Sequence, residues 1–214
     1  MLAAAPEGYA GGVQADPNGR SSAQPYGIVA VASSAGGITA LGRLLGGLPK
    51  DFPVPVVMVQ HLDPRHRTII AEVLGRRTAL PVRLAAEGDF PEPGNVYIAP
   101  PNYHLLVSAE RTLTLSSSEL VHFVRPSADL LFESVAASYG PQAIACVLTG
   151  TGSDGAMGAA AVRQRGGTVI AEDPEVAEFK GMPGAVVASG VVDFVLPLDE
   201  IAPIIRQLVE DSRL

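Results

Sequence analysis

Three side chains carry the chemistry this sequence can support. Ser34 stands in VASSAGG, His61 in VVMVQHLDP and Asp154 in LTGTGSDGA, each shortly after a run of apolar residues. A serine hydroxyl attacks a carbonyl only when a base takes its proton and an acid orients that base. One residue of each type, gathered at one edge of a sheet, suits acyl transfer on an ester or amide. Around the serine, Ile28 to Ala32 reads as a short buried strand, and Gly36-Gly37 lets the chain turn sharply into a helix. The amides left free at that helix start lie where partial positive charge favours a developing anion. The plainer role for Ser33 and Ser34 is to cap the helix. Each residue alone is weak evidence, and the joint placement of all three favours the nucleophile.

The competing assignments are less well placed. Strand alternation turns Ser33 toward a face of the sheet. His104 and His122 fall among short strands, His66 suits a solvated helix turn, and Asp63 and Asp129 suit helix starts. A dinucleotide fingerprint is absent, as is an acidic residue at a second strand's end roughly 20 residues on, and no P-loop lysine occurs. Cys146, inside AIACVL, reads as a small buried hydrophobe. The Cys and His spacing offers no zinc site, and neither a metal nor an organic cofactor is expected. The order Ser, His, Asp differs from the usual hydrolase fold, and the segment around Ser34 lacks the first glycine of a nucleophile elbow.

Composition bounds the setting. With 214 residues, 47% of them hydrophobic, one large domain with an ample core is expected. A net charge of −7 argues against a nucleic-acid partner, and the local arginines 65, 67, 76, 77 and 83 read as a solvated helix face. One cysteine excludes an internal disulfide and fits a reducing cytoplasm. No apolar run approaches the roughly 18 residues that cross a membrane, and no secretory signal opens the chain. Residues 1–25, rich in Ala, Gly, Pro and Ser, read as a disordered leader before a domain over 26–214.

The elements that must position the three residues follow in order. The first strand leads to a helix with Ile38, Leu41, Leu44 and Leu45 inward. Val54 to Gln60 is a second strand, followed by a helix presenting Ile69, Ile70, Val73 and Leu74. Two strand–helix units imply a parallel sheet with right-handed crossovers. Val82 to Ala85, Asn95 to Ala99, His104 to Val107 and Thr112 to Leu115, parted by Pro-Gly and polar turns, read as antiparallel hairpins at an edge. Ser127 caps a helix to Ser138, and Ala143 to Leu148 is continuously apolar, hence central. The remaining strands are Gly167 to Ala171 and Val191 to Val195. Helices are expected at Ala156 to Val162, from Met182-Pro183-Gly184, and at Asp199 to Glu210. The expected fold is a doubly wound α/β domain: a mostly parallel sheet, helices on both faces, and an antiparallel hairpin insertion. Ser34, His61 and Asp154 then lie at the carboxyl ends of three strands, where sites form in such sheets.

VASSAGG, VQH, VYIAPPNYH, RPSAD, LTGTGSDGA and FKGMPGAV, in that order, resemble the catalytic domain of chemotaxis protein-glutamate methylesterases of the CheB type. The resemblance covers about Tyr26 to Val209, and VQHLDP and LTGTGSDG are especially similar to the methylesterase part of hybrid methylesterase–methyltransferase proteins. It implies a cytoplasmic serine hydrolase that removes methyl esters from glutamates on the cytoplasmic helices of methyl-accepting chemoreceptors, and deamidates glutamines there. A methyltransferase or a response regulator would be a further partner. Matched motif by motif, Ser34 is the nucleophile, His61 the base and Asp154 the orienting acid. The loop Thr149 to Gly155 would supply donors near the oxyanion, with Ala35, Gly36, Thr151, Gly152 and Met182 binding oxyanion or substrate. Two positions depart from the pattern: Ala35 where threonine is common, and Thr151 where methionine is common. The family's receiver domain has no counterpart here, so a stand-alone catalytic domain, not controlled by receiver phosphorylation, is expected. The acidic loop Glu172 to Glu178, if near the site, would help expel a carboxylate product. The same fold kept as a docking module, or an esterase of small methyl esters, are the competing readings.

Overall fold

A computed structural model of the chain describes residues 25–62 and 68–213. The leader expected over 1–25 therefore falls outside the described residues, apart from Pro25, as do Asp63, Arg65, His66 and Arg67. In chain order the elements are β1 (Ile28–Ser33), α1 (Gly37–Gly46), β2 (Val56–Gln60), α2 (Ile70–Gly75), β3 (Val82–Leu84), β4 (Val96–Ile98), β5 (His104–Val107), β6 (Leu113–Ser116) and α3 (Ala128–Tyr139). There follow β7 (Ala143–Val147), α4 (Ala156–Gln164), β8 (Thr168–Glu172), α5 (Gly181–Ala188), β9 (Phe194–Leu196) and α6 (Leu198–Asp211).

Seven strands form one parallel sheet in the order β3-β4-β2-β1-β7-β8-β9. Every residue of β1, β2 and β7 is buried, because helices cover both faces and each side chain meets a core. Alternate residues divide between two cores. Ile28, Ala30 and Ala32 pack with Leu131 and Phe132 of α3 and Val162 of α4. Val29 and Val31 pack with Leu41 and Leu44 of α1, Leu74 of α2 and Ile201 and Ile205 of α6. From β1 the chain passes to β2 on one side, and β7 later takes the place on β1's other side. That neighbouring pair is the switch point, where the helices diverge and leave a crevice at the carboxyl edge.

Two expectations are corrected. β3 and β4 are not hairpin strands; they join the main sheet in parallel, with Val82 beside Val96 and Leu84 beside Ile98. The Pro- and Gly-rich segment between them is long enough to carry the chain back to its starting end instead of reversing it. β5 and β6 do form an antiparallel hairpin, and it sits on α3, with Val107 N donating to Ser134 Oγ at 3.0 Å. Ile38 and Ile69 are exposed rather than inward, and Ala40 and Ile70 hold the buried positions. Cys146 is fully buried, which pushes its thiol well above the ordinary range, consistent with an inert core residue. Among the described residues, no helix is long and apolar enough to cross a membrane.

Candidate active site

β1 ends in two serines with different surroundings. Ser33 is fully buried and donates from Oγ to Gln60 Oε1 at 2.7 Å, which removes it as a nucleophile. Ser34, half-buried, is the first residue beyond the strand. Its amide donates to Thr149 O at 3.0 Å, and its carbonyl accepts from Gly37 N at 2.9 Å and Gln60 Nε2 at 2.8 Å. Gly36, at φ 75°, makes the left-handed turn that starts α1 and leaves Ser34 on the outside of the bend. Gln60 Nε2 donates also to His61 O at 3.0 Å, so one buried amide at the end of β2 ties Ser33, Ser34 and His61 together. Gln60 is not among the expected site residues, although a polar residue closing an otherwise apolar strand must find partners when buried.

His61 follows β2 directly, and its Nε2 meets Asp154 Oδ2 at 2.9 Å. Asp154 reaches this position from the loop after β7 and is 4% exposed. It also accepts from Ser127 Oγ at 2.8 Å, Ala128 N at 2.6 Å and Asp129 N at 3.1 Å, the start of α3. Burial alone would raise its pKa, but the bonds from His61, the two amides and the hydroxyl outweigh it and hold the carboxyl below the usual range. It is therefore an anion at neutral pH, seated at the positive end of a helix. With Nε2 on the carboxylate, Nδ1 is the nitrogen left for the serine, the reverse of the usual serine-protease arrangement. Ser34 and His61 line one open cavity of about 310 Å³ together with Gly36, Gln60, Leu62 and Glu178. Among the described residues no hydrogen bond yet joins Ser34 to His61; such bonds commonly tighten only when substrate binds.

The loop after β7 is pinned from below. Thr149 N donates to Glu172 Oε2 at 2.7 Å, Thr149 Oγ1 donates to Ala35 O at 3.1 Å, and Gly150 N donates to Phe179 O at 2.9 Å. A Cβ on Gly150 would collide with Met182 Sδ and lie 2.9 Å from Ser34 Cβ, so only glycine fits between them. Met182 is thus fully buried behind Gly150, with its amide committed to Gly150 O at 2.9 Å; it backs the loop and does not line the opening. Thr151 and Gly152 are exposed at the loop's tip. Beside Ser34, the amides of Ala35 and Gly36 donate to no acceptor among the described residues. His104 is structural: fully buried, it meets Glu119 O at 3.0 Å through Nε2 and accepts from Ser127 N at 3.1 Å through Nδ1. Among the described residues no cluster of side chains could hold a metal ion.

The family model described as CheB methylesterase matches residues 29–205. A protein-glutamate methylesterase/protein-glutamine glutaminase of Methanosarcina mazei is 41% identical over 189 residues, covering 85% of this chain and 52% of that protein. One of Pseudomonas fluorescens is 42% identical over 184 residues, covering 86% of this chain and 55% of its own. The chain thus spans about half the length of these two relatives. It matches 97% of a Leptospira interrogans protein named for the same two activities, at 37% identity over 187 residues and 87% of this chain. The crystal structure of the Thermotoga maritima CheB methylesterase catalytic domain superposes with a TM-score of 0.83 at 40% identity, covering 86% of this chain and 99% of that one. By sequence over residues 29–205 and by fold, the chain belongs to the CheB methylesterase family.

Proposed function

We propose that the chain is a protein-glutamate methylesterase, acting on methylated glutamates of chemoreceptor cytoplasmic helices through Ser34, His61 and Asp154. The observation that carries this reading is the His61–Asp154 contact of 2.9 Å beside Ser34 in one open crevice at the switch point of the sheet. His61 Nδ1 takes the hydroxyl proton as Ser34 Oγ bonds to the ester carbonyl carbon. Asp154 holds the ring in place and stabilises the imidazolium. The oxyanion is met by the unengaged amides of Ala35 and Gly36, with Thr151 and Gly152 close to the other side of the substrate. The tetrahedral intermediate collapses as His61 returns the proton to the departing methoxide, releasing methanol and leaving an acyl-enzyme. Water, deprotonated by His61, then attacks the acyl carbon; the bond to Ser34 Oγ breaks as His61 returns the proton to that oxygen, and the glutamate carboxylate is freed. Glutamine deamidation follows the same steps with ammonia as the leaving group. Glu178, on the rim of the cavity, opposes retention of the newly charged product. The setting this implies is the cytoplasm, with a methyltransferase or response regulator as further partner.

The test is to incubate the purified chain with methylated chemoreceptor fragments and, separately, with small methyl esters, and to measure methanol. Faster release from the receptor fragments supports the reading. Release from small esters only would reassign the substrate, and release from neither would reduce the domain to a docking module.

A further inference from the structure

Asp129 and Asp154 serve each other's helices. Asp154 lies just before α4, yet its carboxylate accepts from Ser127 Oγ, Ala128 N and Asp129 N at the start of α3. Asp129 lies in the first turn of α3, yet its Oδ1 accepts from Gly155 N at 2.9 Å and Gly158 N at 2.8 Å at the start of α4. The N-cap of α4 is Gly155, which has no side chain to satisfy those amides, so a carboxylate from the neighbouring helix does so. The arrangement is costly. Asp129 is 3% exposed, and among the described residues its buried Oδ2 has no hydrogen bond and faces His122 Nε2 at 3.4 Å. Burial foremost, and the facing charge of Asp154, push the Asp129 carboxyl above its ordinary range. Simple packing between two helices does not call for a buried, half-satisfied acid.

We propose that Asp129 is a positioning residue for the hydrolytic site: by holding the Gly155 and Gly158 amides it fixes the turn through Asp154, and so sets where the Asp154 carboxylate meets His61. Gly155 N belongs to the peptide that joins it to Asp154, so an acceptor on that amide fixes the backbone at the acid itself. Without it, the first turn of α4 is left with unmet donors and relaxes toward water, taking Asp154 with it. Misplacement of a catalytic group by about 1 Å costs on the order of 100-fold in rate. This role rests on the Ser34–His61–Asp154 reading.

The experiment measures kcat and KM for methyl-ester hydrolysis, with thermal melts as a folding control. The variants are Asp129→Asn and Asp129→Ala, the latter also in an Asp154→Ala background. Asparagine keeps Oδ1 as an acceptor for both amides, and its kcat should stay within about threefold of the parent. Alanine should lower kcat about 10- to 100-fold while KM moves less than about twofold. In the Asp154→Ala background the same change should cost less than about twofold, because its target is already gone. If alanine does not fold, Asp129→Ser, whose hydroxyl is too short to reach both amides, carries the same expectations. Parent-like kcat in the alanine or serine variant, or an equal loss in both backgrounds, would overturn the proposal. Full activity in Ser34→Ala would sink the underlying triad reading, and this role with it; an inactive Ser34→Ala leaves the Asp129 variants to speak for positioning alone.

Discussion

Two carboxylates are buried at neighbouring strand ends, and the protein drives them in opposite directions. Asp154, after β7, and Glu172, closing β8, are each 4% exposed. Asp154 collects an imidazole, a hydroxyl and two amides at a helix start, and is held as an anion below the usual carboxylate range. Glu172 receives one amide, from Thr149; burial dominates, Glu178 adds repulsion, and its pKa rises despite the field of Arg43. Burial is common to both, so the difference lies in the number and polarity of the donors. An acid that must balance a transient imidazolium needs that surplus of donors. An acid that only anchors a loop does not.

The two acids should differ most in activity. Ser34→Ala and His61→Ala should each lower kcat by about a millionfold, and Asp154→Asn by about ten-thousandfold, whereas Glu172→Gln should leave kcat within a few-fold. Methanol release under single-turnover conditions is the readout, and a Glu172→Gln loss as large as that of Asp154→Asn would erase the distinction. The neutral side of the site should respond differently. Gln60→Leu strands the buried Ser33 hydroxyl, at a cost of about 1–3 kcal/mol, and takes one donor from each of the Ser34 and His61 carbonyls, of which the first keeps Gly37 N. A melting temperature lower by several degrees, together with reduced kcat, is expected from calorimetry and kinetics.

The smallest effect concerns pH and stability. A raised folded pKa means that Glu172 contributes stability below the unfolded carboxylate pKa and loses it as pH rises through the folded value. Glutamine keeps an oxygen for Thr149 N without the charge. Glu172→Gln should therefore melt higher than the parent at neutral pH, with the gap closing toward about pH 4. Asp154 has the opposite sign. Its stabilising contribution is present above the unfolded pKa and is lost as pH falls through the depressed one, so Asp154→Asn should melt lower at neutral pH and converge with the parent in acid.

The sheet, its helices and the placement of Ser34, His61 and Asp154 beyond three strand ends were legible because fully buried parallel strands are continuous apolar runs, and each of the three residues comes shortly after one of them. β3 and β4 were misread, since a three-residue strand flanked by prolines looks alike whether the chain turns back or returns to the start. For Met182, expected to bind oxyanion or substrate, the motif fixes a neighbourhood but not which side of Gly150 the thioether takes, and the side chain is buried behind the loop. The exchange of caps was invisible for a different reason. Asp129 reads as an ordinary helix-start residue, and nothing in its local sequence says that its partners lie 26 and 29 residues away.

Whether Ser34 and His61 act as one unit, with Asp154 behind them, is decided by kcat for methyl-ester hydrolysis in Ser34→Ala, His61→Ala and the double variant. If the two act together, the double variant is as slow as either single one, within about threefold, because the first loss already removes the shared function. Losses that multiply in the double variant would mean that the two residues contribute independently, and would contradict the account.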